Sequence, residues 1–145
     1  MRRALIAIAA CLAVPAAAHA APSRSGLGAS LTFGPAGYDV YSAADMTQAG
    51  SLTYKCPPAI IPNVSMSASA NGAYRPRQMT SGGNTLNYEL YFDAAMTILW
   101  GVGADSHIVP ATGGTQTFPF YGRIFAQQDA AVGSYADTIT VTFNF

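Results

Sequence analysis

Residues 133–145 read GSYADTITVTFNF, and the alternation in this stretch decides the fold. In an extended chain Ile139, Val141, Phe143 and Phe145 project to one side, while Thr138, Thr140, Thr142 and Asn144 project to the other. A period of two is the mark of a strand with one buried and one wet face. Threonine, valine, isoleucine and phenylalanine all suit such a pleated, half-buried surface. The predicted strand, 136–145, runs to the last residue with no polar tail after it. Its open edge is therefore expected to be covered by a strand from another polypeptide.

Upstream, the same period recurs in short runs. Leu31–Phe33 is expected to be a brief strand after a flexible leader, 21–30. Tyr38–Gly50 reads as loop with one turn of helix, and Leu52, Tyr54 and Cys56 alternate in a strand closed by Pro57-Pro58. Val64, Met66 and Ala68 alternate with serines. Arg77–Thr80 is followed by a Ser81-Gly82-Gly83-Asn84 turn, and Leu86, Tyr88, Leu90 and Phe92 then mark the clearest internal strand. A turn at Asp93-Ala94-Ala95 leads to a resumed strand at Thr97–Trp100, and a brief one is expected around Ile108. Thr115–Ile124 is a further strand, in which Pro119 predicts an edge or a bulge. No segment carries a capped amphipathic helix. Short strands at regular spacing with glycine- and proline-rich turns predict an all-β sandwich.

The first twenty residues have a different character. Arg2-Arg3, an apolar run from Ala4 to Val14 and the Ala18-His19-Ala20 site predict a secretory signal peptide over 1–20. The domain is then expected over 31–145. The apolar run is too short to span a bilayer, and no later segment is long enough, so no membrane insertion is expected. Without the two arginines, five basic residues face seven acidic ones, a net charge of −2 that argues against nucleic acid as a partner. Only 10% of the residues are charged, which excludes a disordered chain. Lys55 is the only lysine, so strand edges lack their usual guard against pairing with other chains. Cys11 leaves with the signal segment, and Cys56 alone cannot form a bridge within the chain; it reads as a buried thiol or as an intermolecular link.

Catalytic patterns are missing. His107 is the one histidine beyond the signal segment and reads as a solvated loop side chain. One histidine and one distant cysteine do not make a zinc site, so neither metal nor cofactor is expected. There is no G-x-S-x-G or H-E-x-x-H motif, and Gly101-Val102-Gly103 reads as a hairpin turn. Asp93, Asp105, Asp129 and Asp137 could supply a glycosidase pair, but each sits among turn residues where aspartate shapes the backbone. The chain is not expected to be an enzyme. Tyr91, Trp100 and Tyr121 are candidate surface contacts for a glycan, the alternative reading being an autonomous glycan-binding sandwich. Aromatics on strands are more often core or cross-strand packing.

Three stretches together carry a family resemblance: GGNTLNYELYFDAAMTILWG (82–101), FYGRI (120–124) and GSYADTITVTFNF (133–145). The L-x-Y-x-L-Y-x-D-A-A-x-T pattern from Leu86 to Thr97 is the most specific part. The sequence resembles the spore coat protein U domain family, which includes subunits of archaic, Csu-type chaperone–usher pili. The resemblance implies an immunoglobulin-like sandwich that lacks its final strand. It further implies a non-enzymatic subunit, exported through the periplasm to a surface fibre or coat, with a role in adhesion, biofilm or coat formation. The implied partners are a periplasmic pilus chaperone that lends a strand, an outer-membrane usher, and other fibre or coat subunits. The groove residues would be Ile139, Val141, Phe143 and Phe145. Relatives often pair a cysteine near the domain start with one at the position of Cys56, but residues 27–31 contain none. Residues 21–30 offer Leu27 as their only large apolar side chain, a poor donor strand. The resemblance thus implies a subunit that accepts a strand without giving one, or a coat component.

Overall fold

The computed structural model describes residues 27–34 and 37–145. The signal-peptide reading and most of the leader reading concern residues outside that range. The described chain is all-β, with two antiparallel sheets stacked as a sandwich and no α-helix beyond a single 3-10 turn at Gly103–Asp105. The strands are β1 (Gly28–Ser30), β2 (Met46–Lys55), β3 (Asn63–Met66), β4 (Arg77–Ser81), β5 (Asn84–Tyr91), β6 (His107–Ile108), β7 (Thr115–Ile124) and β8 (Val141–Asn144). The larger sheet runs β1-β2-β7-β5-β4 and the smaller β6-β3-β8.

The long strands of the larger sheet follow the alternation of their sequences. In β5, Leu86, Tyr88 and Leu90 are buried on the inner face of the sheet, and Phe120 and Ile124 of β7 lie on the same face. β4 and β5 are joined by a tight hairpin in which Gly82 takes a φ of +59°, a left-handed conformation that a side chain would resist.

Several expectations need correction. β2 begins at Met46, not Ser51, because Met46–Gly50 pairs with Ile124–Phe120 of β7. That partner supplies order which a polar run such as MTQAG does not show by itself. Gly28–Ser30, read as leader, is a strand paired with Ser51–Thr53 of β2, whereas Leu31–Phe33 is not. Thr97–Trp100 forms no regular strand, only a bridge from Leu99 to Tyr91. Of the edge or bulge expected at Pro119 the structure has the edge: Pro119 pairs with Ser51 of β2 without a bulge. The β5 partner covers only 121–124, so at Pro119 β7 has β2 as its one neighbour and is locally an edge. The final strand is shorter than predicted. Ala136 bridges to Thr80 on the edge of the larger sheet, and Thr140 then accepts from the Ser67 amide before β8 joins β3. Residues 136–141 therefore cross from one sheet to the other.

The N-terminal segment makes a similar crossing at the opposite edge. After Ser30 the chain leaves β2 and passes over the inner face of β7, where it needs two glycines. A Cβ on Gly122 would lie 2.8 Å from both Leu31 Cδ1 and Phe33 Cζ. One on Gly50 would lie 2.6 Å from Phe120 Cζ and 2.8 Å from the Ser30 carbonyl. The bare backbone at these positions lets Leu31 and Phe33 settle onto the sheet.

Candidate functional site: the slot between the sheets

Five strands face three, so part of the inner surface of the larger sheet has no strand opposite it. A cavity of about 420 Å³ lies there. Its floor is Leu86, Tyr88 and Leu90 of β5 with Phe120 and Ile124 of β7. One wall is the crossing segment 29–34, with Leu31 and Phe33; the other is residues 133–141, with Ile139 and Val141. Met46, Met66 and Met79 complete the lining. The floor side chains are each no more than 4% exposed, so they lie at the bottom of a partly open slot.

β8 pairs with β3 on one side and has no strand on the other among the described residues. At its Val141 end this unpaired backbone edge meets the slot. Backbone groups of this kind seek partners, and an extended chain laid against them would also place alternate side chains in the cavity.

The structure distributes the four candidate groove residues unevenly. Ile139 and Val141 line the slot. Phe143 packs instead on Tyr54, ring centroids 5.5 Å apart, within the covered half of the core. Phe145 lies beyond the end of β8 and is 55% exposed.

At the end of the slot, Tyr88 and Asp137 meet. The Tyr88 hydroxyl donates to Asp137 Oδ2 at 2.6 Å, while Asp137 Oδ1 accepts from the amides of Ala70 and Thr138 at 2.9 and 2.7 Å. Burial, and then the adjoining carboxylate, push the Tyr88 phenol well above its ordinary value of 10.0. The hydroxyl therefore stays protonated and pins the crossing segment to the floor. A tyrosine in the buried phase of a strand needs such a partner. Its identity, 49 residues away, had no signal in the sequence.

A second polar feature likewise has no signal in the sequence. Arg77, at the start of β4, is 1% exposed and forms an ion pair with buried Glu89. Its remaining donors reach the carbonyls of Met66, Ser67 and Trp100 at 3.0, 2.9 and 2.9 Å. Met66 and Ser67 belong to the end of β3 and the turn after it, so this guanidinium ties the two sheets together beside the slot.

The candidate glycan contacts are corrected. Trp100 is fully buried, donates Nε1–H to the Val64 carbonyl at 2.9 Å and packs edge-on against Phe92 and Phe120. Tyr91 is buried and its hydroxyl accepts from Arg123 at 2.6 Å. Tyr121, opposite Tyr91 in the register, is partly exposed, so no aromatic platform is assembled from the three. His107 is corrected too. Its ring stacks on Phe92 at 4.5 Å, with Nε2 2.7 Å from the Leu99 carbonyl.

The aspartates do not converge. Asp93 binds its own turn, accepting from the amides of Thr97 and Ile98 and from the Thr97 hydroxyl. Asp105 takes Arg75 and the Tyr74 hydroxyl. Among the described residues no group of three or more His, Cys, Asp or Glu could hold a metal ion, and no helix is long and apolar enough to cross a membrane. Cys56 is buried in the core.

Compared with known families, residues 5–142 match the Spore Coat Protein U domain. The chain belongs to the spore coat protein U domain family. That family is one of coat and pilus-type fibre subunits. The match runs from before β1 into the first half of β8, both walls of the slot included. A search among curated proteins returns no match.

Proposed function

We propose that this chain is a secreted structural subunit of a chaperone–usher surface fibre or coat, assembled by insertion of a β-strand from another polypeptide into the slot. The observation that carries the reading is the apolar cavity beside the open edge of β8. The sandwich is then one strand short. A periplasmic chaperone supplies that strand during export, and a neighbouring subunit replaces it at the outer-membrane usher. Adhesion, biofilm or coat formation is the role of the finished fibre.

Magnitudes favour an occupant. The slot is open to water but lined by more apolar than polar surface, so displacing that water with apolar side chains is favourable. Each apolar side chain brought into the slot stabilises by about 1.5–3 kcal/mol, and main-chain bonds to β8 add to this.

Co-expression with a pilus chaperone tests the reading. A soluble one-to-one complex is expected, together with aggregation of the chain expressed alone. A stable, soluble monomer whose β8 amides exchange as slowly as those of β5 would overturn it.

A further inference from the structure

We infer that Met46, Met66 and Met79 form an adjustable lining that lets the slot accept β-strands whose inward side chains differ in size. The inference rests on the strand-insertion reading and adds the kind of partner the slot selects: an extended segment recognised by its alternation and backbone, with wide tolerance in the residues themselves.

The distribution of methionine is the starting observation. The chain has five, and three of the four beyond Met1 line this one cavity. They come from three strands and both sheets: Met46 opens β2, Met66 ends β3 and Met79 lies in β4. They thus approach the slot from separate directions. The covered half of the core is filled differently, by Val64, Val109, Tyr54, Phe143 and Trp100.

The chemistry of the side chain gives this placement its meaning. Methionine is unbranched, turns about three bonds and has a polarizable sulfur, so it refills irregular space at small cost. Valine and isoleucine, stiff at χ1, hold one shape. A slot walled by stiff residues accepts one strand and rejects those a methylene larger or smaller. One with three flexible linings reshapes around each guest. Met66 is 1% and Met79 8% exposed, so their rearrangement takes place inside the slot and not at its mouth.

The test uses synthetic twelve-residue peptides with four alternating apolar positions, one of which is varied as valine, leucine or phenylalanine. The full chain is refolded with each peptide and the dissociation constants are measured. The parent should bind the three within about threefold of one another. The Met46→Leu/Met66→Leu/Met79→Leu variant, close to volume-conserving, should spread them by about tenfold or more. Met46→Leu and Met79→Leu alone serve if the triple variant does not fold. Methionine-methyl NMR is an independent readout. The three lining methyls should shift differently with each peptide, while Met96, in the turn after Asp93, stays fixed. An equally narrow spread in the leucine variants, a wide spread in the parent, or methyl shifts independent of the peptide overturns the inference while leaving strand insertion intact. Failure of every peptide to bind overturns both.

Discussion

Replacing Arg77 with methionine should destabilise the chain more than any other single polar substitution. The guanidinium is buried, as is Glu89, and its donors also satisfy three main-chain carbonyls. Methionine matches the length of the stem but leaves a buried carboxylate with a single remaining donor, the Leu90 amide. Breaking a buried ion pair by removing one partner costs about 3–5 kcal/mol. The pair itself is not the main source of stability, since its desolvation offsets much of its attraction. The loss comes from the stranded charge and carbonyls. Adding Glu89→Leu removes the stranded charge, so the double variant should recover part of the loss, with a coupling energy of about 1–3 kcal/mol. Urea unfolding followed by the emission of Trp100, the single tryptophan and fully buried, reads both effects. With a slope of about 1–3 kcal/mol per molar urea, the midpoint of Arg77→Met should fall by roughly 2 M. A fall under about 0.5 M, or additive single losses, would show that the tie between the sheets is replaced by water and the reasoning is wrong.

Trp100→Ala should cost about 3–5 kcal/mol through the cavity it leaves, so any loss of glycan binding in that variant tracks unfolding by circular dichroism. Gly122→Val should keep the sheet content but displace Leu31 and Phe33 into the slot, weakening insertion of a strand peptide about tenfold; unchanged affinity would mean that this wall is not where the strand enters. At Asp93, slight desolvation pushes the carboxyl up, but hydrogen bonds from Ile98 and Thr97 outweigh it and hold the group below its ordinary 3.8. A depressed value contributes stability that is present above 3.8 and lost as pH falls through the folded value. The protection factors of the Thr97 and Ile98 amides, rates taken relative to an unstructured peptide at the same pH, should therefore fall below 3.8 in the parent and show no such step in Asp93→Ala.

Legibility in the sequence followed periodicity. β7 could be read because its more and less buried residues alternate over all ten positions, and β5 because Leu86, Tyr88 and Leu90 recur at every second position, although its last four residues are all buried. The first half of β2 could not, since its order comes from β7 and not from its own residues. The sequence pattern overstates the final strand for the opposite reason. Its alternation extends back to Thr138, but the Ala136–Thr80 bridge and the bonds to Asp137 draw 136–140 away from the ladder. Within the slot, Ile139 and Val141 were legible as the inward phase of that strand. Phe145 shares the phase but lies past the last paired residue. The polar pairs, Arg77 with Glu89 and Tyr88 with Asp137, had no sequence signal because neither charge nor spacing announces a contact made through the core.

The unequal sheets also bear on where a guest strand would join. Among the described residues the smaller sheet has two open edges, β6 and β8. β6 is two residues long, and Ile108 within it is 63% exposed, so a strand added there would cover little and bury no cavity. β8 borders Ile139, Val141 and the floor of β5 and β7. Pairing at that edge alone would combine new main-chain bonds with apolar burial, and a lone hydrogen-bonded edge is worth little in water without such burial. Phe145 and Asn144 stay exposed at the tip of this strand, where a longer guest would cover them as well. A preference for one edge over the other therefore follows from the cavity beside β8, and the twelve-residue peptides should protect the β8 amides from exchange while leaving those of β6 unchanged.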